Sequence, residues 1–197
     1  SFHCKWISET RDPYPMRNLT PTAVVLQARA AWRYRGQERP PFAIEPGADQ
    51  RSVWDFPRPP SIESVGAELR VEGSGEMIAL TTRGRRVSET ASAPTYYFPP
   101  EDVISKNLKQ TGASYHCEWK GISNELALPS VRQPGWVLTA VYPEFAELSG
   151  WYAFYPQYVS CFIDAERVGA QPGGYYGGWV TADLVGPIKG LSGTESW

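Results

Sequence analysis

The chain has 197 residues, with 19 Lys and Arg against 21 Asp and Glu and a formal net charge of −2. That length suits one domain, or one domain with an N-terminal appendage, and is enough to bury a core without metal or disulfide staples. The near-neutral balance argues against holding nucleic acid by phosphate neutralisation; 18 Gly and 18 Pro leave little room for long helices, and 13% aromatic residues supply apolar area on short strands.

Along the chain, the start Ser1-Phe2-His3-Cys4 shows no charged region followed by an apolar run, so no secretory signal is expected. It carries no initiator Met, so loss of an upstream segment is an expectation. No stretch approaches the roughly 20 apolar residues of a membrane helix. Residues 1–50 read as an N-terminal extension with a helix over 21–35. Thr20 is the expected N-cap, Pro21 suits the first helical position and Gly36 the stop. Apolar residues at 24, 25, 28, 31 and 32 predict the face that docks on the body, and Arg39-Pro40-Pro41 to Gly47 reads as a linker.

Residues 51–197 read as a single β-rich domain. Glu68–Glu72, Gly73-Ser74-Gly75 and Glu76–Leu80 form a hairpin signal. Further strands are predicted at Arg86–Glu89, Thr95–Phe98, Ser114–Trp119, Ile122–Leu128, Trp136–Tyr142 and Tyr158–Ile163. Pro99–Ile104 looks like a loop entering one helical turn, and Pro143–Leu148, ending at Ser149-Gly150, reads as another short helix. Short strands at close spacing with Gly and Pro between them predict a mainly β, antiparallel domain.

Several strings then stand in a recognisable order: Trp54-Asp55-Phe56-Pro57-Arg58-Pro59-Pro60, Glu89-Thr90, Pro94-Thr95-Tyr96-Tyr97-Phe98-Pro99-Pro100-Glu101-Asp102-Val103, Cys117-Glu118-Trp119-Lys120-Gly121 and Tyr152-Ala153-Phe154-Tyr155-Pro156. They resemble the family called domain of unknown function 427. The tail, Gln171–Thr181 with Gly186-Pro187-Ile188-Lys189-Gly190, is similar to its longer cyanobacterial-type members, so the resemblance spans roughly residues 51–197. It implies a compact Mss4-like, or β-tent, fold and assigns no activity. A nucleotidyltransferase label sometimes attached to the family has to be tested on residues.

Zinc is the first test, since many β-tent proteins hold one between Cys-x-x-Cys pairs. No such pair occurs here. His3-Cys4, His116-Cys117 and Cys161 are the candidate ligands, and neighbours on a strand point to opposite faces. The three cysteines read instead as buried reduced thiols, and the expected compartment is reducing and cytoplasmic. Neither metal nor cofactor is expected. Nucleotidyl transfer wants close carboxylates and a phosphate cradle. Glu101-Asp102 reads as the opening of a helical turn, and Gly186–Gly190 lacks the Walker A spacing. Hydrolysis by a Cys beside His116 stays open, with no Gly-x-Ser-x-Gly elbow present.

What is left is a polar set among aromatic neighbours: Arg83, Arg86, Glu89, Tyr96, Tyr97, Trp119 and Lys120. Charges embedded in strands are costly to bury unless paired or touching a ligand. The functional reading is a pocket where Arg and Lys meet an anionic group while Tyr and Trp stack on a planar one. The plain structural alternative is a Glu89–Arg or Glu89–Lys120 bridge. Three functions therefore compete: a binder of an anionic or planar small molecule, an enzyme using Lys120 or a Tyr with Glu89, and a scaffold whose helix and Gly/Tyr tail make a homo-oligomer. Neither a membrane nor nucleic acid is an expected partner.

Overall fold

β-branched and aromatic residues between turns favour pleated, half-buried surfaces over helices, and strands dominate the computed structural model, which describes residues 17–197. In chain order the elements are β1 (Arg17–Asn18), α1 (Ala23–Ala31), β2 (Arg51–Ser52), β3 (Ser61–Ser64), β4 (Leu69–Gly73), β5 (Glu76–Thr81), β6 (Arg85–Ser88), β7 (Thr95–Phe98), β8 (Lys109–Cys117), β9 (Gly121–Leu128), β10 (Val131–Val141), β11 (Tyr152–Phe154), β12 (Ser160–Ile163), β13 (Glu166–Arg167), β14 (Gly169–Ala170), β15 (Trp179–Val180) and β16 (Leu184–Val185). The predicted turns at 99–104 and 143–148 are 3-10 helices over Pro100–Asp102 and Pro143–Leu148. The β4–β5 hairpin turns through Ser74 and Gly75, both at positive φ (55° and 75°), the backbone pair that matches strand twist in a two-residue loop.

Antiparallel pairing builds a large sheet in the order β3-β6-β7-β11-β10-β9-β8, with β1 adding parallel to β10. A smaller sheet runs β13-β12-β4-β5. Among the described residues no helix is long and apolar enough to cross a membrane. Register decides which side chains share a face. Tyr97 stands opposite Arg85 and Ala153, and Trp136 opposite Ala153. Tyr96 stands opposite Arg86, and Phe98 opposite Tyr152. Because side chains alternate along a strand, Tyr96, Phe98 and Phe154 pack against the small sheet through Leu69, Val71, Ile78 and Cys161. Tyr97 goes to the other face with Val87, Leu138 and Ala153, where Phe145, Leu148 and Trp119 complete a second cluster.

The N-terminal helix differs from expectation in its ends and its docked face. Thr22 is the N-cap, its hydroxyl accepting from Val25 N, and Trp32 leaves the helix in extended conformation. Val25 is the buried helical residue, whereas Val24 is 74% exposed. Positions 25, 29 and 32 form the docking stripe, at the i, i+4, i+7 spacing of one helix face. Arg29 supplies its polar part: Nε donates to Glu118 O (2.7 Å) and Nη1 to Glu144 Oε1 (2.8 Å), with the guanidinium over Trp119 and Tyr142. Apolar periodicity could not show that an arginine anchors this helix. Beyond it, Tyr34 and Phe42 pack edge-on to Trp54, and Trp197 returns to stack on Phe42.

Candidate functional site

The face of the large sheet that carries Tyr97 holds a cavity of about 460 Å³, within the range of small-molecule sites. Val87, Leu138 and Trp136 form its floor. Trp32 walls one side, and Tyr155 with the Gly174–Gly177 arm walls the other. Glu89, Lys120 and Lys189 bring charge into it.

Glu89 follows β6 at a turn and is held by Arg58, whose Nε donates to its Oε1 at 2.9 Å. Arg58 has no exposed side-chain surface. Its other nitrogens donate to Tyr34 O, Thr90 O and Trp197 O, and its guanidinium lies 3.9 Å from the Trp32 ring centroid. Every guanidinium nitrogen is thus used, as a buried charge requires. Burial pushes the Glu89 carboxyl up, and the cations Lys189, Lys120 and Arg58 outweigh it, so Glu89 ionises below its ordinary range.

Lys189 enters from the C-terminal arm. Its N–H donates to Ala91 O (2.8 Å) and its carbonyl accepts from Gln171 Nε2 (2.9 Å), which fixes the backbone and aims the side chain inward. Nζ lies 4.7 Å and 4.8 Å from the ring centroids of Trp32 and Tyr176, and 3.8 Å from Glu89 Oε1. Burial drives the Lys189 amine below its ordinary value, Arg58 and Lys120 add to the effect, and Glu89 opposes it.

Lys120 sits in the tight turn 118–120 between β8 and β9, its carbonyl accepting from Tyr142 N. Burial again opposes its charge, but Cys117, Tyr97 and Glu89 beside it prevail, and its pKa is raised. Among the described residues, neither lysine Nζ donates a hydrogen bond to a protein acceptor. The second carboxylate at the rim, Glu118, accepts from Trp32 Nε1 at 2.8 Å.

The polar set read from sequence is divided by the fold. Glu89 and Lys120 both line the cavity, and Glu89 is paired there with Arg58 and Lys189. Tyr97 lies fully buried beneath it, edge-on to Trp136, its hydroxyl without a hydrogen-bond partner among the described residues. Trp119 is buried in the cluster behind the turn, under Arg29, and does not line the cavity. Arg86 and Tyr96 face the other way, into a second hollow of about 280 Å³, where Arg86 pairs with Glu63 and Tyr96 stacks on Trp179. Arg83 is on the surface, paired with Asp102 at 2.8 Å. Period-two alternation separates Arg86 from Glu89 and Tyr96 from Tyr97.

Arg58, Lys189 and the aromatic walls were not among those candidates. Arg58 and Lys189 do lie inside strings that carry the family resemblance, and Trp32 lies on the predicted docking stripe. What hid them was range: Arg58 and Lys189 reach Glu89 only through folding. Cys117 lines the cavity and Cys161 is buried between the sheets, both as free thiols, and burial pushes the Cys161 thiol up. His116 Nε2 is bonded to the Tyr142 hydroxyl at 2.7 Å. His3 and Cys4 lie outside the described residues.

Comparison with the curated proteins finds no match. A family model described as "Domain of unknown function (DUF427)" matches residues 61–168, which takes in β3 through β13, Glu89 and Lys120. That match covers more than half of the 197 residues, and the chain belongs to this family.

Proposed function

We propose that this domain binds a small anionic molecule with a planar part, in the cavity between Lys120 and Lys189. One observation carries the reading: two ammonium groups reach the same cavity, and neither has a protein hydrogen-bond acceptor among the described residues. An ammonium brings three donors and is costly to remove from water unless they are used. Among the described residues, the carboxylate within 4 Å of Lys189 Nζ is that of Glu89, which is already bonded to Arg58. The site therefore holds a surplus of positive charge and unused donors, which a carboxylate or phosphate oxygen would satisfy. Trp32, Trp136, Tyr155 and Tyr176 provide flat apolar walls for the rest of such a ligand.

Nucleotidyl transfer is less well supported by this donor set. Its metal-bridging chemistry needs adjacent free carboxylates. Here Glu89 is held by Arg58, and Glu118 is held by Trp32. The unpaired Cys117 and Cys161 support a reducing, cytoplasmic setting, and the paired sheets are in keeping with a β-tent-like fold.

Thermal shift tests the reading, with benzoate, terephthalate, nucleoside monophosphates and sugar phosphates set against neutral isosteres such as benzamide. A planar anion should raise the melting temperature, since a ligand at 100 times its Kd adds about 2.7 kcal/mol. The gain should disappear in Lys120→Met. An equal response to benzamide, or an undiminished response in that variant, would remove the proposal.

A further inference from the structure

Within the cavity the two lysines are not equivalent. The Lys189 side chain is 3% exposed, and its Nζ sits between two ring faces, 4.7 Å from Trp32 and 4.8 Å from Tyr176. Those faces offset part of the loss of hydration, but they cannot replace hydrogen bonds to water. Glu89 Oε1, at 3.8 Å, is beyond hydrogen-bond reach and is shared with Arg58. The charges acting on Lys189 are Glu89 and Glu118, which favour the ammonium, and Arg58 and Lys120, which oppose it. Lys120 enters the same cavity from the β8–β9 turn.

From this arrangement we propose that Lys189 is a nucleophilic amine that captures an aldehyde or ketone bearing an anionic group, as an imine. The step rests on the reading of the cavity as an anion site. Its chemistry needs no oxidant or reductant. Lys189, an ammonium at rest, first gives its extra proton to solvent, while Glu89 stays ionised and bonded to Arg58. The amine lone pair then forms a C–N bond as the carbonyl π pair moves onto oxygen. Proton transfer from nitrogen to oxygen yields the carbinolamine. The hydroxyl leaves as water, taking the last N–H proton into the balance, and a C=N bond remains. Lys120 stays charged and pairs with the ligand's anion or with the developing oxyanion.

Burial together with the neighbouring Arg58 and Lys120 lowers the cost of freeing the Lys189 lone pair, against the opposing charge of Glu89 and Glu118. Lys189 is displaced downward and Lys120 upward. Groups pushed apart in one site divide the roles of nucleophile and charge holder.

The test uses the full chain, 4-carboxybenzaldehyde as an anionic probe, propanal as a neutral one, and cyanoborohydride to reduce any imine, followed by peptide mapping. The exposed Lys106 and Lys109 are internal references. At pH 7 the anionic aldehyde should label Lys189 at least tenfold faster than either reference, and its labelling rate should level off at lower pH than theirs. Excess terephthalate should slow it. Lys189→Arg and Lys189→Met, each checked for folding by far-UV circular dichroism, should lose the adduct. Labelling of Lys106 and Lys109 as fast as Lys189, an adduct at Lys120 instead, or no adduct at Lys189 with either aldehyde would overturn the proposal. Stabilisation by terephthalate without labelling of Lys189 overturns covalent capture and leaves the anion site standing. Fast labelling of Lys189 by propanal without any response to anions supports capture and removes the anion site.

Discussion

Glu89 and Lys189 meet with 3.8 Å between Oε1 and Nζ, one following a strand in mid-chain and the other held on the C-terminal arm. The same carboxylate oxygen accepts from Arg58 Nε at 2.9 Å. One acid therefore ties together the segment before β3, the end of β6 and the arm after β16.

Glu89→Gln should be the costliest single polar substitution at the site. It keeps the shape and removes the charge that offsets Arg58, whose side chain is completely buried. Breaking a buried pair from one side costs about 3–5 kcal/mol. Glu89 retains some solvent contact, so a loss of about 3 kcal/mol in urea unfolding is expected. A loss below about 1 kcal/mol would mean that the ion pair is screened and does not organise the cavity.

The pH dependence follows from the direction of the Glu89 shift. Its folded pKa lies below its ordinary 4.5, so its ionised form stabilises the fold above that value. The contribution disappears as pH falls through the lowered folded pKa. The stability gap between the wild type and Glu89→Gln should be level from about pH 7 to pH 5 and should narrow below about pH 4. A gap that widens on acidification would contradict the assignment.

Gly177 lets the 174–177 segment lie against Trp136 and Tyr155. A Cβ there would sit 2.5 Å from the Trp136 ring and 3.1 Å from Tyr155. Gly177→Val should cost about 1–3 kcal/mol, change tryptophan fluorescence and speed proteolysis within 173–178. Unchanged stability and cleavage would show that the arm does not need this close approach.

The family match ends at residue 168, but the fold does not. Trp179 is fully buried, stacks on Tyr96 with centroids 4.9 Å apart, and donates from Nε1 to Phe154 O at 3.0 Å. Trp179→Ala should cost about 3–5 kcal/mol. A fragment of residues 61–168 should lack near-UV circular dichroism and a cooperative urea transition, because the faces of Tyr96, Phe98 and Phe154 would be uncovered. Cooperative unfolding of that fragment would refute this dependence.

Local pattern determined much of this protein. Strand β7, the β4–β5 hairpin and the two proline-led turns can be read from alternation and from Pro and Gly placement, because those signals act over a few residues. The family strings are equally legible, and they contain Glu89 and Lys120. Strand alternation could also show that Arg86 and Glu89 point to opposite faces. Only tertiary structure decided which face is the cavity, because that depends on β6 pairing with β7 and on the arm folding over one side. It also decided the partners. Arg58 and Lys189 converge on Glu89 from distant segments, and no spacing rule links them. The different environments of the two lysines arise the same way: burial and nearby charge are set by packing across the whole chain, and an ammonium's chemistry follows from them.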